Sequence, residues 1–259
     1  MALKPATKIA DTKTAGTAAP SAGKAGSARG AGNPCVACPV RGIALCAPLQ
    51  GKELDRLNGI VTHARFSPEG AAFYEGDEAE HIFNVTSGCV RLSKMLPDGR
   101  RQITGFLWPG DFFGLAFDRS YSYTAEAVGE VEVCRFPRAK LEALFREYPK
   151  LEHRLLSMAG NELIAAQDHM MVLGRKTAQE RIATFLILLG RRSARAGQGE
   201  NSLDLPMNRA DIADHLGLTV ETVSRTFTQL RKNKIIDLPD PRSVAILDRA
   251  RLEGASDGH

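Results

Sequence analysis

Residues 206–236 read PMNRADIADHLGLTVETVSRTFTQLRKNKII, two short amphipathic segments joined by a glycine. The spacing predicts a first helix from Asn208 through His215, with Ile212, Ala213 and Leu216 as its apolar face. Gly217 and Leu218 make a turn, and Thr219 suits the N-cap of a second helix. On a wheel of about 100° per residue, Val220, Val223, Phe227 and Leu230 fall on one side of that helix. Glu221, Ser224, Arg225, Thr228 and Lys232 fall on the other. The apolar side docks on the first helix, so the polar side points outward. Two helices so joined form a helix-turn-helix, whose second helix enters the DNA major groove by its N-terminal end. Arg225 can pair bidentately with guanine O6 and N7, Glu221 can accept from cytosine N4, and Ser224 can bond either way. Thr219, Thr222 and Lys232 complete the candidate DNA contacts. A solvated helical hairpin would also show an outer charged face. The glycine turn, the two-faced wheel and three base-reading side chains within five residues together favour DNA.

The run ETVSR at Glu221–Arg225, followed by a basic helix end, resembles the recognition helix of the CRP/FNR family of bacterial transcription regulators. Its Glu-x-x-Ser-Arg pattern resembles the FNR branch, whose members read a TTGAT half-site. The resemblance covers the chain from about Cys35 to about Leu247, and it implies that Glu221, Ser224 and Arg225 contact bases.

A chain of 259 residues suits two domains and can bury a sizeable core. The net charge of +4 is too small to mark a DNA-binding protein by itself; the basic density lies in Arg175–Arg195 and in the recognition helix. No apolar run is long enough to span a membrane and no signal-peptide core is present, so the cytoplasm is the expected location. No nucleotide-binding glycine loop, nucleophile–base arrangement or pair of catalytic carboxylates stands out, and no enzymatic activity is expected. Residues 1–33 are a tail of Ala, Gly, Lys, Thr, Ser and Pro that cannot bury enough apolar surface to offset chain entropy, so disorder is expected there.

The segment CVACPVRGIALC holds Cys35, Cys38 and Cys46. Cys-x-x-Cys brings two thiolates onto one centre, and a third after a loop makes three corners of a tetrahedral set. A fourth must come from Cys134 in VEVCRFP or Cys89 in SGCVRL. Five cysteines in an unexported chain do not suit a disulfide framework. Four thiolates suit Zn²⁺ or an iron–sulfur cluster equally on spacing alone, and directly redox-reactive cysteines are a further alternative. The family resemblance separates these. A cysteine trio plus one late in the sensory domain is similar to oxygen-sensing FNR proteins, which hold a [4Fe–4S] cluster, and Cys134 occupies the place of the internal ligand. The Cys-x2-Cys-x7-Cys spacing departs from the Cys-x2-Cys-x5-Cys of the enterobacterial type. It resembles the variant of relatives from nitrogen-fixing and photosynthetic bacteria. Cys89 matches no family ligand and reads as a packed strand residue.

From about Phe66 to Phe136 short alternating strands are punctuated by turns, one of them at Pro97-Asp98-Gly99. This predicts an all-β roll of the double-stranded, cupin-like kind, the sensory domain of the family that the chain resembles. In cyclic-AMP receptors such a roll binds nucleotide through a Glu and an Arg-Ser pair. Here Tyr121-Ser122 stand at the Arg-Ser position, Leu115 stands near the Glu, and Arg119-Ser120 lie two residues out of register. Without a guanidinium for the phosphate, no cyclic nucleotide is expected. His63, His81 and His153 read as surface or hydrogen-bonded histidines rather than haem ligands.

A short helix near Arg138–Tyr148 precedes a long one expected from Leu151 to Leu173. Leu156, Ala159, Leu163, Ala166, Met170 and Leu173 recur at alternating three and four. A second stripe runs through Met158, Ala165, Asp168 and Val172. Two stripes imply two partners, the roll and a second helix, and a palindromic site demands a two-fold pair of recognition helices. Met158, Leu163, Ala165, Asp168 and Val172 are thus the candidate homodimer contacts. In a parallel dimer the Asp168 carboxylates approach and repel; the resemblance implies that this keeps the dimer marginal. A helix over Arg175–Arg192, a loop at Ser193–Ser202 and a turn-and-strand at Pro239–Leu247 frame a winged helix-turn-helix.

The expected fold is therefore α+β. The cysteine segment and β-roll occupy 34–150, a dimerisation helix 151–174, the winged DNA-binding domain 175–248 and a flexible tail 249–259. The expected partners are double-stranded inverted-repeat DNA, RNA polymerase and a second copy of the chain, with no membrane.

Overall fold

A helical turn α1 (Lys52–Asn58) leads into eight short antiparallel strands in a computed structural model that describes residues 33–116, 118–195, 197 and 199–258. The expected tail, residues 1–33, lies outside the described residues except for Asn33. The strands are β1 (Thr62–Phe66), β2 (Ala71–Phe73), β3 (His81–Ser87), β4 (Val90–Met95), β5 (Arg101–Leu107), β6 (Phe112–Phe113), β7 (Thr124–Ala127) and β8 (Val131–Pro137). They form two sheets, ordered β1-β8-β3-β6 and β2-β7-β4-β5. Side chains alternate across a strand, and β3 and β8 use both faces. Phe83, Val85, Val131 and Val133 point into the core between the sheets. Ile82, Cys134 and Phe136 point the other way, into a second core with Leu45, Leu49, Leu141 and Leu151.

Two glycines are fixed by geometry. Gly88, between β3 and β4, has φ 83°, and a Cβ there would come within 2.2 Å of the Glu130 carbonyl. Gly99, at φ 86°, turns the β4–β5 hairpin at the expected Pro97-Asp98-Gly99, and Leu96 N donates to Arg100 O at 2.8 Å.

Helices α2 (Arg138–Glu147) and α3 (Pro149–Arg175) follow. A proline in the first turn, where its missing N–H costs nothing, opens α3. Then come α4 (Ala178–Arg195), β9 (Ser202–Asp204), α5 (Arg209–Leu216), α6 (Val220–Lys232), β10 (Ile236–Asp237), β11 (Ser243–Ile246) and α7 (Arg249–Asp257). The wing is a three-stranded antiparallel sheet, β10-β11-β9, and the expected loop at Ser193–Ser202 is shorter, because α4 runs on to Arg195 and Ser202 opens β9.

The C-terminal segment corrects the sequence reading. Residues 249–257 are not a flexible tail but the helix α7. Asp248 caps it by accepting from Arg251 N at 3.0 Å. Leu252 is fully buried and Ala255 nearly so, packed with α4 in the DNA-binding core. Only two apolar residues one turn apart mark this face, too few for a recognisable period. Leu252→Ala is expected to lower stability by about 2–5 kcal/mol, read from the shift in denaturant midpoint; a wild-type midpoint would mean that α7 does not contribute to the core.

Candidate DNA interface and cysteine site

The two helices of the helix-turn-helix carry their own start signals. Asn208 and Asp211 form a reciprocal capping box, Asp211 N donating to Asn208 Oδ1 at 2.9 Å and Asn208 N to Asp211 Oδ2 at 3.3 Å. Gly217, left-handed at φ 61°, ends α5. Thr219 caps α6 by accepting from Thr222 N at 3.2 Å. Val223, Phe227 and Leu230 are buried against α5, while Glu221, Ser224, Arg225 and Lys232 are exposed. One apolar position differs from the wheel. Val220 is 43% exposed, and Thr226 is buried on the inner side instead, its hydroxyl satisfied by Thr222 O at 2.8 Å. The Glu221 carboxyl is held below the usual carboxylate range by its own backbone N–H and by Thr219, which keeps it an acceptor.

The cysteines come together across the fold. Cys35, Cys38, Cys46 and Cys134 border one small cavity whose other walls include Val40, Leu57, Val61 and Phe136. Cys134 reaches it from β8, and the trio from the loop before α1. That loop is held by Asn84, whose Oδ1 accepts from Leu45 N at 3.3 Å, and by Arg41, which donates to the Cys46 and Leu49 carbonyls. Burial, reinforced by neighbouring thiolates, pushes Cys35 up to about 11 and Cys134 up to about 12; burial also raises Cys46. Among the described residues no three His, Cys, Asp or Glu side chains are gathered as ligands of one metal ion. The thiols ring a cavity rather than converge on a point. His63, opposite Cys134 in the β1–β8 register, brings Nδ1 to 3.9 Å from its Sγ, a neighbour the sequence did not reveal. Cys89 lies apart, buried in the core shared by the roll and the DNA-binding domain.

The long helix separates its candidate contacts. Leu163, Ala165 and Asp168 are exposed, beside exposed Leu156, Ile164, Met170 and Met171. Met158 is half-buried against the core that holds Cys35 and Cys134. Val172 is 7% exposed and belongs to the chain's own packing, which corrects its assignment to the dimer face. The second stripe reaches the roll at one end and the DNA-binding domain at the other, so only its middle is free.

Inside the roll Tyr121 stacks on Phe73 with centroids 3.5 Å apart and donates to His81 O at 2.7 Å. Phe83 and Phe113 complete this aromatic interior.

Residues 180–255 match the model of the Crp-like helix-turn-helix domain, and residues 64–148 that of the cyclic nucleotide-binding domain. The chain is 42% identical to the transcriptional activatory protein AadR of Rhodopseudomonas palustris, covering 83% of this chain and 90% of that protein. It is 40% identical to the nitrogen fixation regulation protein FixK of Bradyrhizobium diazoefficiens, covering 86% and 93%. The chain belongs to the CRP/FNR family. As a CRP/FNR regulator it is a DNA-binding transcription factor, and its α+β fold is that of the FixK2 structure from Bradyrhizobium japonicum. That structure matches with a TM-score of 0.71 at 40% identity, over 76% of this chain and 97% of that one. The transcriptional activator protein FnrL of Cereibacter sphaeroides is 37% identical over 84% of this chain and 90% of its own length. No helix among the described residues is long and apolar enough to cross a membrane.

A contact that the sequence reading missed joins this regulator's reading head to its roll. Arg91 of β4, its side chain 4% exposed, bonds Glu126 at 3.1 Å, Glu69 at 3.2 Å and Asp211 of α5 at 3.2 Å. Arg101 of β5 reaches Asp211 and Asp214, both at 2.9 Å. Gln102 donates to His215 O at 3.2 Å, and His215 Nδ1 lies 3.1 Å from Ile103 O. On α4, Arg192 pairs with Asp111 and lies over Trp108. The one available signal was a charge, Arg91, inside the apolar alternation of CVRLS.

His215 stacks on His169 of α3, with centroids 4.2 Å apart and planes at 8°. Burial, then the facing His169, lowers His215 to about 4, and burial lowers His169 as well. The ordinary imidazole value is 6.5, so the unfolded chain takes up protons first on acidification. Stability should therefore fall as pH drops from about 6.5 towards about 4. Thermal melts across that window should show the fall, and His169→Phe, which keeps a stacking ring, should lessen it. An unchanged slope would show that the pair does not govern it.

Proposed function

We propose that the protein is an oxygen-responsive transcription activator whose sensor is a [4Fe–4S] cluster held by Cys35, Cys38, Cys46 and Cys134. One observation carries this reading: four thiols from two distant stretches line a single, otherwise largely apolar cavity. The donor set fits, because four soft sulfur donors grouped around a largely apolar cavity are what an iron–sulfur cluster takes up as thiolates. When bound, the group would supply an oxygen-labile centre joining the cysteine segment to β8. The chain's own residues supply the consequence. The segment packs on the start of α3, where Leu155 and Met158 share its core and Arg154 donates to Ile43 O. A braced segment thus orders the helix whose middle bears Leu163, Ala165 and Asp168, and homodimer contacts there offset the repulsion between Asp168 carboxylates. Once the brace is lost, that repulsion favours separation.

The dimer presents two copies of α6 to an inverted repeat of TTGAT type, with Glu221, Ser224 and Arg225 reading bases and Thr219, Thr222 and Lys232 beside them. DNA-bound dimer then engages RNA polymerase. Cyclic nucleotide plays no part in this reading, since Tyr121, Phe73, Phe83 and Phe113 occupy the interior of the roll.

Purification without oxygen should yield about four iron and four sulfide per chain and a visible absorption that bleaches in air. Sedimentation should show a dimer before air and a monomer after. A colourless chain with zinc or no metal would remove this sensor and favour structural zinc or redox-active thiols. For readout, Arg225→Ala should relax the preference at one guanine per half-site by about 1–3 kcal/mol in a base-pair scan; uniform weakening at every position would instead mark Arg225 as a phosphate contact.

A further inference from the structure

The contacts between β4–β5 and α5 form a latch across the two domains, and their placement is informative. Asp211, with its side chain 2% exposed, serves two purposes: it closes the capping box of α5 and accepts from both Arg91 and Arg101. Asp214 and the His215 carbonyl, one and two positions on, are held by Arg101 and Gln102. Thus one whole face of α5 is tied to the roll hairpin. The opposite face of α5 receives α6, through Val223, Phe227 and Leu230. The base-reading side chains Glu221, Ser224 and Arg225 remain exposed, so the latch does not occlude them. A buried ion pair adds little net stability, because desolvation offsets its attraction, yet it demands one geometry. What the latch can therefore supply is orientation.

We propose that Arg91 and Arg101, which lie outside the DNA-binding domain, are positioning residues for DNA reading. By fixing α5 to the roll they fix the angle of α6, and in the dimer they fix the separation of its two copies. This rests on the two-fold reading above. A rigid separation shows itself as a strict requirement for half-site spacing, which is a geometric property of the dimer. A loosened domain would still read a half-site but would lose the advantage of preorganisation on the full operator.

The test uses the full chain, purified without oxygen, and an operator that it selects from random-sequence DNA. Affinities are measured for that operator, for the same operator with one base pair inserted between half-sites, and for a single half-site. The wild type should discriminate against the insertion. Arg101→Asp should bind the selected operator about tenfold more weakly, bind the half-site unchanged and discriminate less against the insertion. Adding Asp214→Arg should restore part of both affinity and discrimination, since the bond to Asp211 stays lost. Arg101→Gln, a milder change, should move in the same direction by less and guards against misfolding of the charge reversal. A dimeric chain whose Arg101 variants keep wild-type discrimination, or whose half-site affinity falls in parallel, overturns the latch. A chain that sediments as a monomer on its operator overturns the two-fold reading and the latch with it.

Discussion

Strand β8 has to serve two cores at once, and the arrangement of the sensory half follows from that. Its period-two alternation sends Val131 and Val133 into the roll and Cys134 and Phe136 out of it. A strand buried on both faces requires something apolar on each side. On the outer side this is the cysteine segment, α1, α2 and the start of α3, which could not remain folded against a solvated strand. The thiol of Cys134 is therefore delivered to the other three by the same packing that closes the roll. A one-residue slip of β8 would turn Cys134 inward and place Val133 or Arg135 at the site. Register and the position of this thiol are one constraint.

The DNA-binding half obeys a different balance. Its core is continuous with the outer surface of the β4–β5 sheet, where Cys89, Phe106 and Trp108 meet Phe185 and its neighbours. This apolar contact can hold the domain against the roll, but it tolerates sliding, because dispersion is non-directional. The charged contacts around Asp211 do not tolerate it. An unpaired Arg91, 4% exposed, would leave a desolvated guanidinium, at a cost of about 3–5 kcal/mol for a broken buried pair. Apolar burial sets how strongly the domains associate; the ion pairs set where.

Much of this was legible from residues alone, for identifiable reasons. The helix-turn-helix announces itself through local chemistry: Thr219 as an N-cap, a glycine turn and an apolar face repeated at helical spacing; the capping box of α5 came only with the structure. The roll announces itself through alternation and turns, and Cys134 through a resemblance that placed it late in the sensory domain. The misses share a cause. Val172 has the spacing of a dimer contact, yet it is buried within the chain because α3 runs past its own DNA-binding domain. No periodicity contains that fact. Helix α7 presents Leu252 and Ala255 amid charged residues, and its stability comes from a groove on α4 that exists only once the chain has folded. Asp211 looks like an ordinary first-turn acid on α5. Its partners are 110 and 120 residues away. Local patterns identify elements; they do not reveal which charged residue an element meets across the fold.

The two halves meet α3 at opposite ends, and this bears on how a signal could travel. Near its start, Leu155 and Met158 lie in the core that contains Cys35 and Cys134. Near its end, His169 stacks on His215, and Leu173 O accepts from Arg181 of α4 at 2.8 Å. Between them the run Gly160–Asp168 is exposed, including Leu163, Ile164 and Asp168. The rigid helix itself can carry a displacement from the cysteine end towards α5, but few side chains along its middle are buried on the same chain to reinforce it. Two further routes are open: order imposed on the exposed stretch by a second copy, and the rigid roll itself, whose β4–β5 hairpin grips α5. The first makes DNA binding depend on association. Under the latch proposed above, the second keeps the reading head aligned whether or not association has occurred, so that a dimer, once formed, would meet its operator without a further search for orientation.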